Sequence, residues 1–600
     1  MKNKEIARSL HHIAEFLLLT NENPFRIRAY ENAALSVESL TASIEELAKD
    51  NKLEDVPGIG EGVAEKIREY LKTGRMQYLE DLKKKFPPGL LEIMEVPGMG
   101  PKKAKVVFDK LKITDLKALK KAASDGKLSA LPGFGEKTEQ NILRGIGLKE
   151  KSKGRALLSD ALNTAGAIIE GLSPVKEIKQ ISPAGSLRRG KETIGDIDIL
   201  CTVEKGKDAF VVKKFTQLPA VSKVLAAGET KASIITDEGI QVDLRVLEPH
   251  SYGSALLYFT GSKEHNIALR ELANRKGYMI NEYGVFKLKQ QVAGKTVSRN
   301  AFHPTPSQQP AGGKVGVRVA GKTEEEIYRL MGLQYIPPEL RENKGEIEAA
   351  SKNALPEPVE PGDIKGDTHV HSNYSDGADT IQEIAQQGRK MKYQWVIICD
   401  HSQSLKVAGG ISPGDIFSKI DEIKKVNSKS TDIKLLCGAE VDVLSDGKLD
   451  YPDEVLKELD FVVCSIHTGF KQTEEQITNR VISAFQNKYV HSFSHPTGRL
   501  LGKREPYQIN LERVLEEAKK CGVFIEINAY PERMELTDIY CKKAKELGVR
   551  ITIGTDAHHI KQMHFMQLGV FVARRGWLEK RDVINTLPYE KLVEILRERR

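Results

Sequence analysis

From about residue 366 to the C-terminus the chain keeps one rhythm. A short apolar run closes on a histidine, aspartate or glutamate, and a helical-looking stretch leads to the next run. DTHVH supplies His369 and His371, with Asp376 following in SDG, and WVIICDH supplies His401, with Asp400 beside it. IKLLCGAEVD supplies Glu440, FVVCSIH His467, YVHSFSHP His495, and VRITIGTDAHH Asp556 and His558. Strands that alternate with helices form parallel βα units. Chemistry-bearing residues at strand C-terminal ends imply a barrel with its site on the loop face. The runs give about seven units, hence a TIM-like barrel one short of eight. A lone histidine after a strand is most often structural or exposed, and His11, His12, His250, His303 and His559 take that reading. Nine donors at corresponding strand ends do not. Imidazole with carboxylate suits Zn²⁺, Mn²⁺ or Fe²⁺. Nine donors exceed one tetrahedral site and suit two or three ions, a cluster that can activate water and clamp a phosphate ester.

A second metal-type constellation lies earlier, in GSLRRGKETIGDIDIL (185–200). IGDIDIL reads as a buried strand by its β-branched content. Asp196 and Asp198 are two residues apart, so both carboxylates leave the same face of the sheet, about 6–7 Å apart along the strand. Such a pair repels unless a cation lies between, and Mg²⁺ accepts both carboxylate and phosphate oxygens. Gly185, Ser186 and the Arg188–Arg189 pair add close backbone approach, a hydroxyl donor and guanidinium forks. IQVDLRVLEP (240–249) is another alternating strand, from which Asp243 could face the pair. Three carboxylates can hold two ions about 3.5–4 Å apart, the geometry for in-line displacement at phosphorus. The stretch therefore points to metal-dependent nucleotidyl transfer.

Residues 1–150 are helical by pattern and repeat one motif three times: VPGIG (56–60), VPGMG (96–100) and LPGFG (131–135), each opening a helix. Gly58, Gly60, Gly98, Gly100, Gly133 and Gly135 permit a turn that aims backbone N–H groups outward at a helix N-terminus. Such a hairpin grips a nucleic-acid backbone without reading bases. The net charge of +8 permits that role without demanding it. The six cysteines form no C-x-x-C pair and read as buried thiols of a reducing compartment. No apolar run reaches the ~18 residues of a membrane span, and the charged N-terminus is not a secretory signal, so the expectation is a cytoplasmic chain with no membrane partner.

On these residues the chain resembles two known families. The hairpins, GSLRRG…GDIDIL, VDLRV, LLYFTGSKEHN and INEYG resemble family X DNA polymerases, the DNA polymerase beta group, over about residues 5–335. The resemblance implies metal binding and catalysis by Asp196, Asp198 and Asp243. It also implies triphosphate contacts from Ser186, Arg189 and Gly195, a sugar pocket of Tyr258, Phe259 and Gly261, a minor-groove contact from Asn266 and a template contact from Arg270. Lys263 departs from the pattern, standing where DNA polymerase beta has an aspartate near the base. NPFRIRAYENAA (23–34) resembles that family's small N-terminal domain, so Arg26, Arg28 and Tyr30 would bind a 5′-phosphate. Lys66 matches the Schiff-base lysine of its deoxyribose-phosphate lyase, although Gly62 replaces a supporting lysine. HVH, CDHS, GAE, SIH, SHP and TDAH resemble the polymerase-and-histidinol-phosphatase (PHP) domain over about 363–575, with His369, His371, Asp376, His401, Glu440, His467, His495, Asp556 and His558 as its ligands. From charge and position, Arg499 and Lys503 are expected to bind the phosphate there.

The expected architecture is multidomain, α+β and α/β. A small lyase-like helical domain (1–80) and a helix-hairpin-helix fingers domain (81–150) precede a nucleotidyltransferase palm (151–255) and a thumb (256–335). A Pro/Glu-rich linker (336–362) leads to a (βα)7 PHP barrel with a C-terminal helix (363–600). The expected function is DNA-directed DNA polymerisation that fills short gaps in base excision repair, with gapped or nicked DNA and dNTP as partners. Mg²⁺ or Mn²⁺ would serve the palm, and two to three Zn²⁺ or Mn²⁺ ions the barrel. The barrel would add a 3′–5′ exonuclease or AP-endonuclease-type phosphodiesterase, and Lys66 a weak lyase. A monomer is the default. Two alternatives stay open: a small-molecule phosphatase barrel fused to a nucleotidyltransferase of signalling or tRNA type, and a non-catalytic DNA-binding scaffold.

Overall fold

The computed structural model describes residues 2–20, 22–39, 44–56, 58–87, 89–94, 96, 99–152, 154–288 and 317–598. Its contacts divide the chain into two compact units, one of residues 1–153 with 502–504, the other of 154–501 with 505–600.

The first unit is all helix through residue 152. Its core joins Leu10 and Phe16 to Ile67, Leu79, Leu90, Val107, Leu119 and Ile142. The expected boundary between residues 80 and 81 is not a boundary here, because it falls inside the helix Gln77–Lys85 and one core runs across it. The motif glycines do open helices. The carbonyls of Gly60, Gly100 and Gly135 accept the first-turn amides of Ala64, Ala104 and Glu139 at 3.0, 3.1 and 3.0 Å. Gly58 and Gly133 hold φ near +87° and +79°. Gly98 lies outside the described residues.

The second unit begins with a five-stranded sheet of β1 (Ile178–Pro183), β2 (Asp196–Val203), β3 (Val221–Ala227), β4 (Lys231–Thr236) and β5 (Gln241–Leu247). The order is β1-β2-β5-β4-β3, and only the β2–β5 pair is parallel. The helix Leu158–Leu172 packs Ala161, Ala165 and Ile168 into the same core as Ile197, Ile199 and Val242. The expected boundary at 255/256 falls inside the helix Tyr252–Thr260. Ala255 and Leu256 pack against Ala184 and Leu200 of the palm, while Leu257 joins the thumb core of Leu269, Ile280, Ile327 and Tyr328.

Residues 336–362 are not an open tether. They carry the helix Glu346–Ser351, and the side chains of Arg341 and Glu346 are wholly buried. Pro338 and Pro361 each start a short turn.

The barrel follows as seven parallel strands in sequence order: β6 (Gly366–Val370), β7 (Trp395–His401), β8 (Lys434–Asp442), β9 (Phe461–Ser465), β10 (Ser492–Phe493), β11 (Phe524–Asn528) and β12 (Ile551–Gly554). A parallel bridge between Val370 and Ala557 brings the last strand back to the first. The C-terminal helix Tyr589–Glu598 is amphipathic, and its Leu592 and Leu596 pack on the barrel against Trp395, Phe461 and Phe524.

Candidate active sites

Strand register assembles the palm site. In the parallel β2–β5 pair Asp198 lies opposite Asp243 and Asp196 opposite Gln241. The intervening Ile197, Val242 and Leu244 are buried, so the three carboxylates share the less buried face. Gln241 Nε2 donates to Asp243 at 3.2 Å. Burial, with Asp196 and Asp243 close by, pushes the Asp198 carboxyl up to about 6. A divalent cation relieves that repulsion, so these donors fit Mg²⁺ or Mn²⁺. Gly185 is required where it stands. Its φ is +63°, and a Cβ there would come within 2.7 Å of Asp198 Oδ2.

Arg188 and Arg189 are both held. Arg188 makes a bidentate pair with Glu324 at 2.9 and 2.7 Å and donates to Thr260 Oγ1 at 2.8 Å. Arg341 donates to the same Glu324 at 2.6 Å. Burial would raise the Glu324 carboxyl, but Arg341 and Arg188 hold it at about 2. Arg189 donates Nε to Glu342 Oε1 at 3.0 Å and Nη1 to the Thr260 carbonyl. The sugar-pocket residues adjoin this pair. Gly261 follows Thr260 with φ +70° and a cis bond to Ser262, and Asn266 Nδ2 donates to the Tyr258 carbonyl at 2.7 Å. Phe259 meets Tyr258 edge to face, with ring centroids 5.1 Å apart, and lies under the Arg245 guanidinium, 4.3 Å from its ring centroid. Ser186 lies in the same turn, where its carbonyl accepts from Lys191 N at 3.1 Å. A Cβ on Gly195 would meet Arg155 at 3.2 Å. Arg270 is exposed and donates to the Asn266 carbonyl at 3.2 Å. In the first unit, Lys66 donates to the Gly62 carbonyl at 2.9 Å and lies 5.3 Å from the Tyr78 ring centroid, as does Arg26.

In the barrel all nine predicted side chains converge. His371, Asp376, His401 and His558 form one group, His369, His371 and Asp556 a second, and His401, Glu440 and His467 a third, the ligand atoms of each lying within 4.8 Å of one another. Shared His371 and His401 fuse the groups, and His495 Nε2 joins through Glu440 Oε1 at 2.7 Å. The site is preassembled for cations. His369 Nδ1 is held by Glu526 at 2.7 Å, His467 Nδ1 by Asp442 at 2.6 Å and His558 Nδ1 by the Asp556 carbonyl at 2.8 Å. Each bond leaves Nε2 for the cluster. His371 Nδ1, His401 Nδ1, His495 Nδ1 and Glu440 Oε2 are buried without a hydrogen bond, although His401 Nδ1 and Glu440 Oε2 stand 2.9 Å apart. Buried polar atoms left in this way are costly unless an ion takes them up. Burial opposes ionisation of Glu440, but His467, His401 and His369 hold its carboxyl well below the usual range. This mixed imidazole and carboxylate set fits Zn²⁺, Mn²⁺ or Fe²⁺, up to three ions.

Family models match along the chain: a helix-hairpin-helix domain over residues 1–76, a SAM-like helix-hairpin-helix tandem over 90–147, a DNA polymerase beta thumb over 255–342 and a PHP domain over 367–530. Over 587 residues the chain is 38% identical to the DNA polymerase/3′–5′ exonuclease PolX of Bacillus subtilis (strain 168), spanning 98% of this chain and 97% of that protein. The chain belongs to the PolX family. A probable phosphatase of Thermoanaerobacter sp. (strain X514) is 31% identical over 245 residues, 39% of this chain and 95% of its own.

PolX membership accounts for both constellations but not for every polar residue around them. Glu526 and Asp442 escape the sequence reading. Each sits in a barrel strand and holds a ligand histidine. The signal was there in FIEIN, where a carboxylate interrupts an apolar strand. Lys419, and its pairing with Asp400, also escape it, a fully buried ion pair at 2.7 Å. Asp400 accepts from Ser372 N at 2.8 Å and Ser375 Oγ at 2.9 Å, which ties down the loop bearing Asp376. The expectation for Arg499 is not met. Its Nε donates to the Arg533 carbonyl at 2.8 Å, Nη2 to the Met534 carbonyl, and it lies 3.7 Å from Glu192 of the palm. Arg499 therefore shapes the loop that carries Arg533. The guanidinium beside the cluster is that of Arg533, with Nε 3.4 Å from Asp556 Oδ2 and Nη1 buried without a hydrogen bond. Lys503 groups with the first unit. Among the described residues no helix is long and apolar enough to cross a membrane.

Proposed function

We propose that this PolX chain fills short DNA gaps of the kind left in base excision repair, and that its barrel removes 3′-terminal nucleotides and cuts related phosphodiesters. The reading is carried by the pairing of Asp198 with Asp243 beside Arg189, in one chain with nine convergent barrel donors. The helix starts after Gly60, Gly100 and Gly135 grip backbone phosphates on both sides of a gap without reading sequence. At the palm, Asp196, Asp198 and Asp243 would hold Mg²⁺ or Mn²⁺, and such ions would supply activation of the primer 3′-OH and charge neutralisation at the pyrophosphate. Ser186, Arg189 and Gly195 orient the triphosphate, Tyr258, Phe259 and Gly261 bound the sugar, and Asn266 and Arg270 face the primer–template duplex. At the barrel, the nine donors would hold two to three Zn²⁺ or Mn²⁺ ions, and such ions would supply polarisation of the scissile phosphate and activation of water. Arg533 supplies the fixed positive charge there. Lys66 donates to the Gly62 carbonyl and lies over the Tyr78 ring, contacts that carry no lyase chemistry into this reading.

The test offers three substrates to the full-length protein: a one-nucleotide gap with a 5′-phosphate, an open primer–template, and a small phosphomonoester. The expected result is tightest primer use at the gap, 3′-end degradation of single strands with Mn²⁺, and little phosphomonoester turnover. Equal dNTP use on gapped and open templates would sink the gap-filling reading. Phosphomonoester turnover exceeding that of DNA would transfer the barrel to small-molecule phosphatase chemistry.

A further inference from the structure

The phosphate turn of the palm is seated on the PHP domain. Gly190, in the GSLRRG turn, has φ +63°, and a Cβ there would come within 2.6 Å of the Phe571 ring. Phe571 belongs to the barrel helix Met566–Arg575. At the end of that helix Arg575 is 2% exposed. It donates to Glu342 Oε1 at 3.0 Å, to the carbonyl of Arg189 at 3.2 Å and to Asp538 Oδ2 at 2.6 Å. Glu342 Oε1 also accepts from Arg189 Nε at 3.0 Å. One carboxylate oxygen is thus shared by a guanidinium from each domain. Lys191 lies 3.9 Å from the same oxygen, and Lys344 pairs with Asp538 at 2.9 Å. Arg189, Lys191, Lys344 and Arg575 therefore face Glu342 and Asp538 in a largely buried pocket, with Glu192 also acting on Lys191 and Arg575. Burial and Arg575 together lower the pKa of Lys191.

We infer that Arg575 of the PHP domain is a positioning residue for the polymerase reaction: it fixes Glu342, and through it orients Arg189 to receive the triphosphate. The inference rests on the reading that Arg189 holds that triphosphate. Two effects act in one direction. A carboxylate held from two sides cannot swing, so it locks the Nε edge of Arg189 while the Thr260 carbonyl locks Nη1. The Nη2 of Arg189 makes no hydrogen bond among the described residues, so it remains for an anion. Arg575 also draws on the charge of Glu342, so Arg189 keeps its attraction for phosphate. Without Arg575, Glu342 is left with Arg189 and the more distant Lys191, pairs more strongly with Arg189 and competes with the incoming nucleotide.

The test is dNTP titration of the full-length protein on a one-nucleotide gap, with 3′–5′ exonuclease assayed in parallel. Arg575→Met is expected to raise KM for dNTP about tenfold, the scale of one charged hydrogen bond, with kcat and exonuclease changed less than about threefold. Adding Glu342→Gln should bring KM back to within about threefold of the parent, because the captured Arg189 is released. A merely structural role predicts the opposite, a double variant worse than either single one. Arg575→Lys, which keeps the charge, should fall between the parent and Arg575→Met, and serves if the methionine variant does not fold. Unchanged KM in Arg575→Met, or an unrescued double variant, would overturn the inference. Arg189→Gln separates the two claims. If it leaves KM unchanged, the triphosphate reading falls and the inference with it. If it raises KM while Arg575→Met does not, only the link to the barrel falls.

Discussion

The palm and barrel sites solve one problem, holding cations at a phosphorus centre, with different amounts of protein. The palm offers three carboxylates from two adjacent strands, one of them, Asp196, exposed. Its Asp198 is pushed toward protonation by burial and then by Asp196 and Asp243. Such a site is incomplete until ions and substrate phosphates arrive together. The barrel draws donors from six of its seven strands or the loops behind them, buries most of them, and backs the histidines with Glu526 and Asp442. It is assembled before any substrate enters. The difference suits a reaction that must admit and release a nucleotide each cycle on one side, and a hydrolytic centre that keeps its ions on the other.

The largest effects should come from cutting each site separately. Asp198→Asn removes a carboxylate shared by the palm cations and should cost dNTP incorporation about 10³-fold or more, leaving Mn²⁺-dependent exonuclease intact. Glu440→Gln should do the reverse, since Glu440 touches His401, His467 and His495 at once. Primer extension and 3′-end degradation, measured on the same preparations, check both. If either variant loses both activities, the two sites are not independent and the comparison fails.

The parts of this contrast visible in the sequence are those that follow a local period. Asp196 and Asp198 declare themselves by alternation, and the nine barrel donors by their place at strand ends. Glycines 60, 100 and 135 mark helix starts because only a turn of that kind needs them. The supporting layer was less visible. Glu526 reads as one polar residue in a buried strand, and nothing local says which histidine it holds. Arg499 misled, because a charge beside a ligand histidine looks like a phosphate contact until the chain folds it onto two backbone carbonyls. Glu342 and Arg575 are 233 residues apart, and an ion pair at that separation leaves no period to find. The order of the Pro-rich stretch 336–362 is hidden in the sequence for the same reason. Its order comes from tertiary partners such as Arg574, which pairs with Glu339 at 2.8 Å and Glu360.

A smaller effect sharpens the claim that the barrel is preassembled. Glu526→Gln keeps the shape of the side chain but removes the charge that holds His369 Nδ1–H. Metal affinity or exonuclease activity should fall about 10–100-fold, with dNTP incorporation unchanged. Chelator competition with metal analysis reads the affinity without relying on turnover. If affinity is untouched, the carboxylates behind the histidines are packing groups and the barrel owes its ions to the nine ligands alone.

The smallest effect concerns the palm before its ions arrive. Burial, Asp196 and Asp243 hold the Asp198 carboxyl at about 6 in the folded protein, above the ordinary aspartate value of about 4. A raised carboxyl means that the fold disfavours the charged form. Below about pH 4 the group is protonated in folded and unfolded chains alike and costs nothing. Between about pH 4 and 6 the penalty grows, and above that it stays constant, up to about 3 kcal/mol before solvent screening. A divalent cation at the carboxylates removes it. Mg²⁺ added after the barrel has been loaded with Mn²⁺ should therefore raise the unfolding midpoint of the protein more at pH 7.5 than at pH 5, by a few degrees. In Asp198→Asn the charge is gone and the difference between the two pH values should vanish. A Mg²⁺ response that is the same at both pH values in the parent protein would mean that the three carboxylates do not repel one another, and that the palm is as preorganised as the barrel.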